Sequence, residues 1–369
     1  VLETVNSANS KLGVCRKSNL RKHNQISIPR FKIRNSNNHA VYLRNCVNLK
    51  VSKNTIKHSR KEGVTTRSGS TLFIIDNEFY NTGWSFITTV MTPDTHIEGN
   101  IGDTTNPSTS ACSPNSLRNI VKGNTFKNAY TGIAIAQSNS PDFDATGSVI
   151  EGNLILNISG DGITANGFAM SGLTIKNNTI ENIMGGPTSE GLVIAAGQKN
   201  VLAEGNTIKL VDGPAVRITG VSGIPTRNIT FIGNEIFGWG RDPTSTLQNK
   251  AAIQIRSLDA VNVQIREISI KNNRIFDPGD AGLSGSSILW LENAVEGQVQ
   301  NNNLYTAMAV SGLNRNNTLC SGVTFFGNNF ISGNVLSGLT IQAALDIPTN
   351  APSSPISGSI YVNVSGNQL

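Results

Sequence analysis

Val51-Ser-Lys-Asn54-Thr-Ile56 and then Ile74-Ile-Asp-Asn77-Glu-Phe79 share one pattern: apolar, two intervening residues, Asn, any residue, apolar. The pattern returns as Val121-Lys-Gly-Asn124-Thr-Phe126 and Ile150-Glu-Gly-Asn153-Leu-Ile155. Later copies centre on Asn178, Asn206, Asn234, Asn273, Asn302, Asn328 and Asn367, with a weaker one on Asn100. That makes twelve copies, spaced 23 to 39 residues apart. A repeat of this length signals a stacked architecture in which each unit buries its apolar face only against its neighbours.

Each position has a physical reason. The residue three before Asn is apolar in all twelve copies, and the residue two after it in eleven, Gly102 being the exception. These are inward strand positions on either side of a bend. The residue just before Asn is Gly in seven copies and Asn in three. Gly and Asn adopt positive φ at least cost, so this position predicts a left-handed turn. The Asn amide has both a donor and an acceptor, so it can bond its equivalents above and below as a ladder.

A second short strand recurs between the Asn turns. It reads Ala40-Val-Tyr-Leu-Arg44, Gly162-Ile-Thr-Ala-Asn166, Gly191-Leu-Val-Ile-Ala195, Ala215-Val-Arg-Ile-Thr219, Ala252-Ile-Gln-Ile-Arg256 and Ser287-Ile-Leu-Trp-Leu291. The alternation and β-branching are those of strands, and no helical period intervenes. The expected fold is all-β, a single parallel β-helix, a solenoid of about twelve coils. At roughly 4.8 Å per coil its axis is about 50 Å long. The expected organisation is a basic cap or truncated coils over 1–32 and the β-helix over 33–369.

Composition narrows the class. Of 369 residues 15 % are charged and 6 % aromatic, with 36 Gly, which argues against coiled coils and charged disordered chains. No apolar run reaches the roughly 20 residues of a membrane helix, so no membrane insertion is expected. Four Cys do not make a disulfide scaffold. Cys15 and Cys46 either staple the N-terminal segment to the first coils or are thiols. The start at Val1 suggests a processed or trimmed piece. His23, His39, His58 and His96 show no metal-ligand spacing, so neither metal nor cofactor is expected.

Charge is uneven. Residues 1–75 hold fifteen Lys and Arg against two acids, and the rest fifteen against twenty-two. The basic end either attracts an anionic polymer or blunts an open sheet edge. Nucleic acid is not an expected partner, because aromatics rarely interleave with the basic residues along the chain and no helix-based reader is visible.

With these motifs the chain resembles the right-handed β-helix proteins of the pectate-lyase and phage-tailspike kind, over about Ile33 to Leu369. The resemblance implies a polysaccharide partner, a secreted or virion-surface location and, at family level, a homotrimer. The Asn-Thr-Asp, Asp-Asp and Gly-His-Gly motifs of polygalacturonases are absent, as are the epimerase Tyr-Gly/Asp-Pro-His signature and the Ca-binding nonapeptide.

Candidate site residues follow from stacking. Aligning the second strands puts Arg217, Gln254 and Trp290 in one outward column and Arg256 and Glu292 in the next. Trp beside Arg and Gln suits a sugar, its ring stacked and its polar groups bonded. The loop at 238–252 adds Trp239 and Arg241 to that face, and a second added loop is read at 343–358. Asp161-Gly162 and Glu190-Gly191 occupy equivalent places in adjacent coils, which predicts two carboxylates roughly 5 Å apart, the separation of a retaining glycosidase pair. Like charges that close split the two pKa values into an acid and a base. Asp-Gly is also a common turn dipeptide, and Glu62-Gly63 repeats it without an obvious partner. Asp212 and Asp259 are further acids. A lyase would instead use Lys250 or Arg256 as base. The leading expectation is a polysaccharide depolymerase, hydrolase or lyase. The alternative is a non-catalytic glycan-binding protein, adhesin or spike.

Overall fold

The computed structural model describes residues 4–6, 26–106, 110–135, 144–167, 170–195, 197–220, 225–257, 265–277, 287–292, 294–306, 313–315, 321–326 and 329–332. Each coil contributes three strands to three parallel sheets. A typical coil runs Val41–Arg44, Val47–Ser52 and Thr55–Lys57. The sheet containing Val41–Arg44 has eleven strands, that of Val47–Ser52 twelve and that of Thr55–Lys57 thirteen. They are called here the first, second and third sheets. Strands Thr4–Asn6 and Ile26–Pro29 pair with Lys32–Arg34 and Val47–Ser52, adding to the third and second sheets.

The Asn turn joins second to third sheet. The preceding residue has φ between 53° and 64° in every described copy, from Lys53 (57°) through Gly99 (64°) to Asn301 (53°). The left-handed position expected from Gly and Asn is therefore present, and Lys53 and Asp76 adopt it too. Nδ2 of Asn54 donates to Oδ1 of Asn77 at 2.8 Å, Asn77 to Asn100 at 3.0 Å and Asn100 to Asn124 at 2.9 Å. The chain of bonds continues through Asn153, Asn178, Asn206, Asn234 and Asn273 to Asn302. The ladder thus climbs about nine turns between Asn54 and Asn302, against the twelve copies read from sequence. The copies on Asn328 and Asn367 lie outside the described residues, as do the 343–358 loop, Asp259, His23, Cys15 and Cys320.

Gly102 has a packing reason. A side chain there would meet the Phe86 ring at 2.2 Å. Phe86 fills the space the missing side chain leaves, between Phe79 (centroids 5.9 Å) and Phe126 (6.1 Å). All three rings are fully buried.

In-register stacking makes identical positions neighbours, and charge placement in one second-sheet column respects this. Glu98, Lys122, Glu151, Lys176 and Glu204 follow one another in a second-sheet column of alternating sign. Lys176 Nζ lies 3.4 Å from Glu151. Such exposed pairs contribute little each, but like charges at one strand spacing would repel. Cys46 and Cys112 are both buried. Desolvation pushes the Cys112 thiol well above its usual range.

Two outcomes check this account. Asn178→Asp removes donors to Asn206 and to the Ile150 carbonyl and buries a charge. It should lower stability by at least about 3 kcal/mol in urea titration. Phe86→Ala should cost about 3–5 kcal/mol, because Gly102 offers no side chain to close the cavity.

Candidate functional site

The site lies where the chain passes from third to first sheet. Gly132, Gly162 and Gly191 stack here. A Cβ on Gly132 would meet the Gly162 carbonyl at 2.4 Å, and one on Gly162 the Gly191 carbonyl at 2.5 Å. Glycine lets the coils approach, and this brings the preceding residues, Thr131, Asp161 and Glu190, into one column.

Asp161 and Glu190 are therefore neighbours, as the stacking argument expects. The structure brings the two carboxyls into electrostatic contact, Asp161 raising the pKa of Glu190. Asp161 also accepts from Thr164 Oγ1 at 3.0 Å and from the Glu190 amide at 3.2 Å. Arg217 Nη1 lies 2.7 Å from Glu190 Oε1. The pair is unequal. Glu190 is 1 % exposed, whereas Asp161 is half-buried. Burial is the largest influence on Glu190. Arg217 opposes it, Asp161 reinforces it, and the pKa is pushed up to about 9. The raised direction follows from the removal of Glu190 from water, which outweighs the pull of Arg217. At neutral pH Glu190 therefore holds its proton beside Asp161.

The outward columns have the expected register. Arg217, Gln254 and Trp290 are adjacent, as are Arg256 and Glu292. Their exposure differs from the expectation. Trp290 is 6 % exposed, Gln254 1 % and Trp239 1 %, so neither Trp presents a face for a sugar. The reason is the loop read as an addition to this surface. Its 3-10 turn, Leu247–Lys250, packs against strands Ala251–Ser257 and Ser287–Glu292. Trp239 anchors that loop, donating Nε1 to the Lys250 carbonyl at 3.1 Å, and Asn249 Oδ1 lies 3.4 Å from Gln254 Nε2. Lys250, the lyase base considered from sequence, is 8 % exposed. Arg217, Arg241 and Arg256 remain half-buried. Asp212 accepts from the Gly186 amide at 3.3 Å, and burial raises its pKa against the pull of that bond and of Arg241.

Two features escaped the sequence reading. Glu62, in the same column as Asp161, does have a partner: His39 Nδ1 lies 2.5 Å from its Oε2. Tyr130, 50 % exposed, lies against Gly160, where a Cβ would meet the ring at 3.2 Å. Both stand just before a first-sheet strand, so adding the coils of Val64, Ile87 and Cys112 to the strand alignment would have exposed them. Among the described residues no group of three His, Cys, Asp or Glu is placed to hold a metal ion, and no helix is long and apolar enough to cross a membrane.

Replacing Glu190 gives a signed test. Its folded pKa lies above its ordinary value of 4.5, so the folded state binds the extra proton between those two values. Its contribution is full below about pH 4.5 and is lost as pH rises towards 9. Glu190→Gln should flatten that decline, gaining thermal stability relative to the parent protein between pH 7 and 9 in melting curves.

Comparison with known proteins places the fold. The Thermotoga maritima exopolygalacturonase superposes with a TM-score of 0.52 at 12 % identity, covering 79 % of this chain and 71 % of that one. A tailspike mutant of E. coli bacteriophage HK620, in complex with hexasaccharide, gives 0.56 at 12 % identity, covering 81 % of this chain. This chain spans 62 % of that tailspike. The A-module of the Azotobacter vinelandii mannuronan C-5 epimerase AlgE6 gives 0.54 at 13 % identity, over 82 % and 81 % of the two chains. No curated protein matches by sequence. A family profile described as "Right handed beta helix region" matches residues 19–208, just over half of the chain. With its three parallel sheets and Asn-laddered corner, the chain belongs to the right-handed β-helix family.

Proposed function

We propose that the chain depolymerises an extracellular or cell-surface polysaccharide at Asp161, with Glu190 as its buried proton partner and Arg217 as the cation facing the substrate. The observation that carries this reading is the juxtaposition of Asp161 with the buried Glu190 in stacked coils, with Arg217 Nη1 2.7 Å from Glu190 Oε1. Such a pair both gives and takes a proton at neutral pH. In hydrolysis its proton passes through Asp161 to the glycosidic oxygen as the C–O bond breaks. Water adds hydroxide to the anomeric carbon and returns one proton to the pair. One water is consumed and the pair ends as it began. Asp161 touches the substrate, and Glu190 acts through it as a positioning residue. Elimination remains the other enzymatic route. There Asp161 would take the proton beside a sugar carboxylate that Arg217 neutralises, the C–H electrons would form the C=C bond as the C–O bond breaks, and the leaving oxygen would take the proton the pair already held.

The neighbours support the substrate class: their names include an exopolygalacturonase, a tailspike in complex with a hexasaccharide and a mannuronan epimerase. With that class go a secreted or virion-surface location and a homotrimer. A second reading, a non-catalytic glycan-binding spike or adhesin, draws support from the burial of Glu190, since a covered Glu–Arg contact also suits a purely structural role.

Mass spectrometry of products from a panel of acidic and neutral polysaccharides tests the reading. Fragments carrying an added water support hydrolysis, and unsaturated fragments one water lighter support elimination. Asp161→Asn should lower the rate at least about 100-fold, in line with loss of a general acid–base group. Glu190→Gln should move the alkaline limb of the pH profile. Absence of fragments across the panel, with retention on one glycan, would establish the binder instead.

A further inference from the structure

Three successive coils near the N-terminal end bring cations and exposed rings together. In the third sheet Arg34 and Lys57 are direct neighbours in one outward column, and Tyr80 follows them. Arg34 is exposed and Lys57 half-buried. Unlike the second-sheet column from Glu98 to Glu204, this column places like charges side by side, an arrangement that repels unless an anion sits over it. Arg60 and Lys61 add two more cations where the chain turns towards the first sheet. Among the described residues none of these four makes an ion pair. Bordering carboxylates are engaged elsewhere: Glu78 lies within bonding reach of Thr55 and Tyr80, and Asp103 accepts from Asn128.

The rings lie among these cations. Lys57 Nζ is 4.4 Å from the Tyr80 ring centroid and Lys61 Nζ 4.9 Å from that of Trp84. Trp84 is 57 % exposed, among the most exposed large apolar side chains described. Aromatics that do not interleave with basic residues along the chain do so across coils, because residues 23 apart become neighbours. The patch is also in line with the acid pair. Lys61, Trp84 and Tyr130 each stand one residue before the column that contains Glu62, Ser85, Thr131 and Asp161. Trp84 is three coils from Asp161, about 14 Å along the axis.

We propose that Arg34, Lys57, Arg60 and Lys61, with Tyr80 and Trp84, form a binding site for an anionic polysaccharide, separate from the acid pair. Rings stack on the apolar faces of Trp84 and Tyr80 while the cations meet the acidic groups, so both charge and sugar faces are required. Duplex nucleic acid supplies the charge without accessible sugar faces and is the discriminating competitor. The site needs no chemistry at Glu190, so it stands or falls independently of the proposed depolymerisation.

Affinity electrophoresis and calorimetry of the full chain test it, with polygalacturonate, its fully methyl-esterified form, dextran sulfate and duplex DNA as probes. Polygalacturonate or dextran sulfate should bind in a salt-dependent manner, the better of the two identifying the acidic group, and the neutral ester should bind at least tenfold more weakly. Lys57→Ala with Lys61→Ala should lose at least tenfold for the acidic glycan, and Trp84→Ala a similar factor without change in the salt slope. Glu190→Gln should bind like the parent protein. Circular dichroism confirms that these surface variants are folded. The proposal is overturned if both variants bind as the parent does, if DNA binds as tightly as the glycan and Trp84→Ala leaves both unchanged, or if Glu190→Gln loses as much as Trp84→Ala.

Discussion

The Asn amide that gives one hydrogen upward and accepts at its oxygen from below sets the register of the whole molecule. Each buried Oδ1 receives both the backbone amide and the Nδ2 of the preceding coil, as Asn77 does from Asn54 at 3.1 and 2.8 Å. A coil slipped by one residue would bury these groups unpaired, at a cost greater than any single apolar contact returns. Once the ladder is fixed, every other position is fixed too, because parallel in-register sheets place residue upon equivalent residue. Inserted loops of different length therefore leave the ladder unbroken: the links from Asn206 to Asn234 and from Asn234 to Asn273 span 28 and 39 residues.

The same constraint creates the chemistry. Two acids that are 29 residues apart in sequence meet because stacked glycines let their coils close on each other. Burial then differentiates them. Glu190 is covered and keeps its proton, while Asp161 stays partly open. Stacking is equally indifferent to whether neighbours suit one another. Alternating charges relieve the second-sheet column from Glu98 to Glu204, whereas the N-terminal coils keep Arg34 beside Lys57, an energetic cost that an external anion would offset.

The column Arg217, Gln254 and Trp290 shows where reading by register alone stops. Its adjacency follows from strand alignment, but exposure does not. Trp239 was legible as a residue of an inserted loop. That the loop would fold back, use the indole as its anchor and bury Gln254 depends on contacts between segments of unlike sequence. The partnership of His39 with Glu62 was missed for a simpler reason: coils whose first-sheet strand reads Val-Thr-Thr or Ile-Thr-Thr do not look like Ile-x-Ile.

The sequence by itself determined the solenoid, its handed Asn turn, the inward positions and the pairing of Asp161 with Glu190. All of these are consequences of a local pattern repeated in register, and a period can be read without coordinates. Only the tertiary structure decided which outward residues meet solvent, which of the two acids holds the proton, and that Trp84 and Tyr80 stand among lysines. Those properties depend on the distance between chain segments and on what desolvates each group, and neither is a function of sequence spacing.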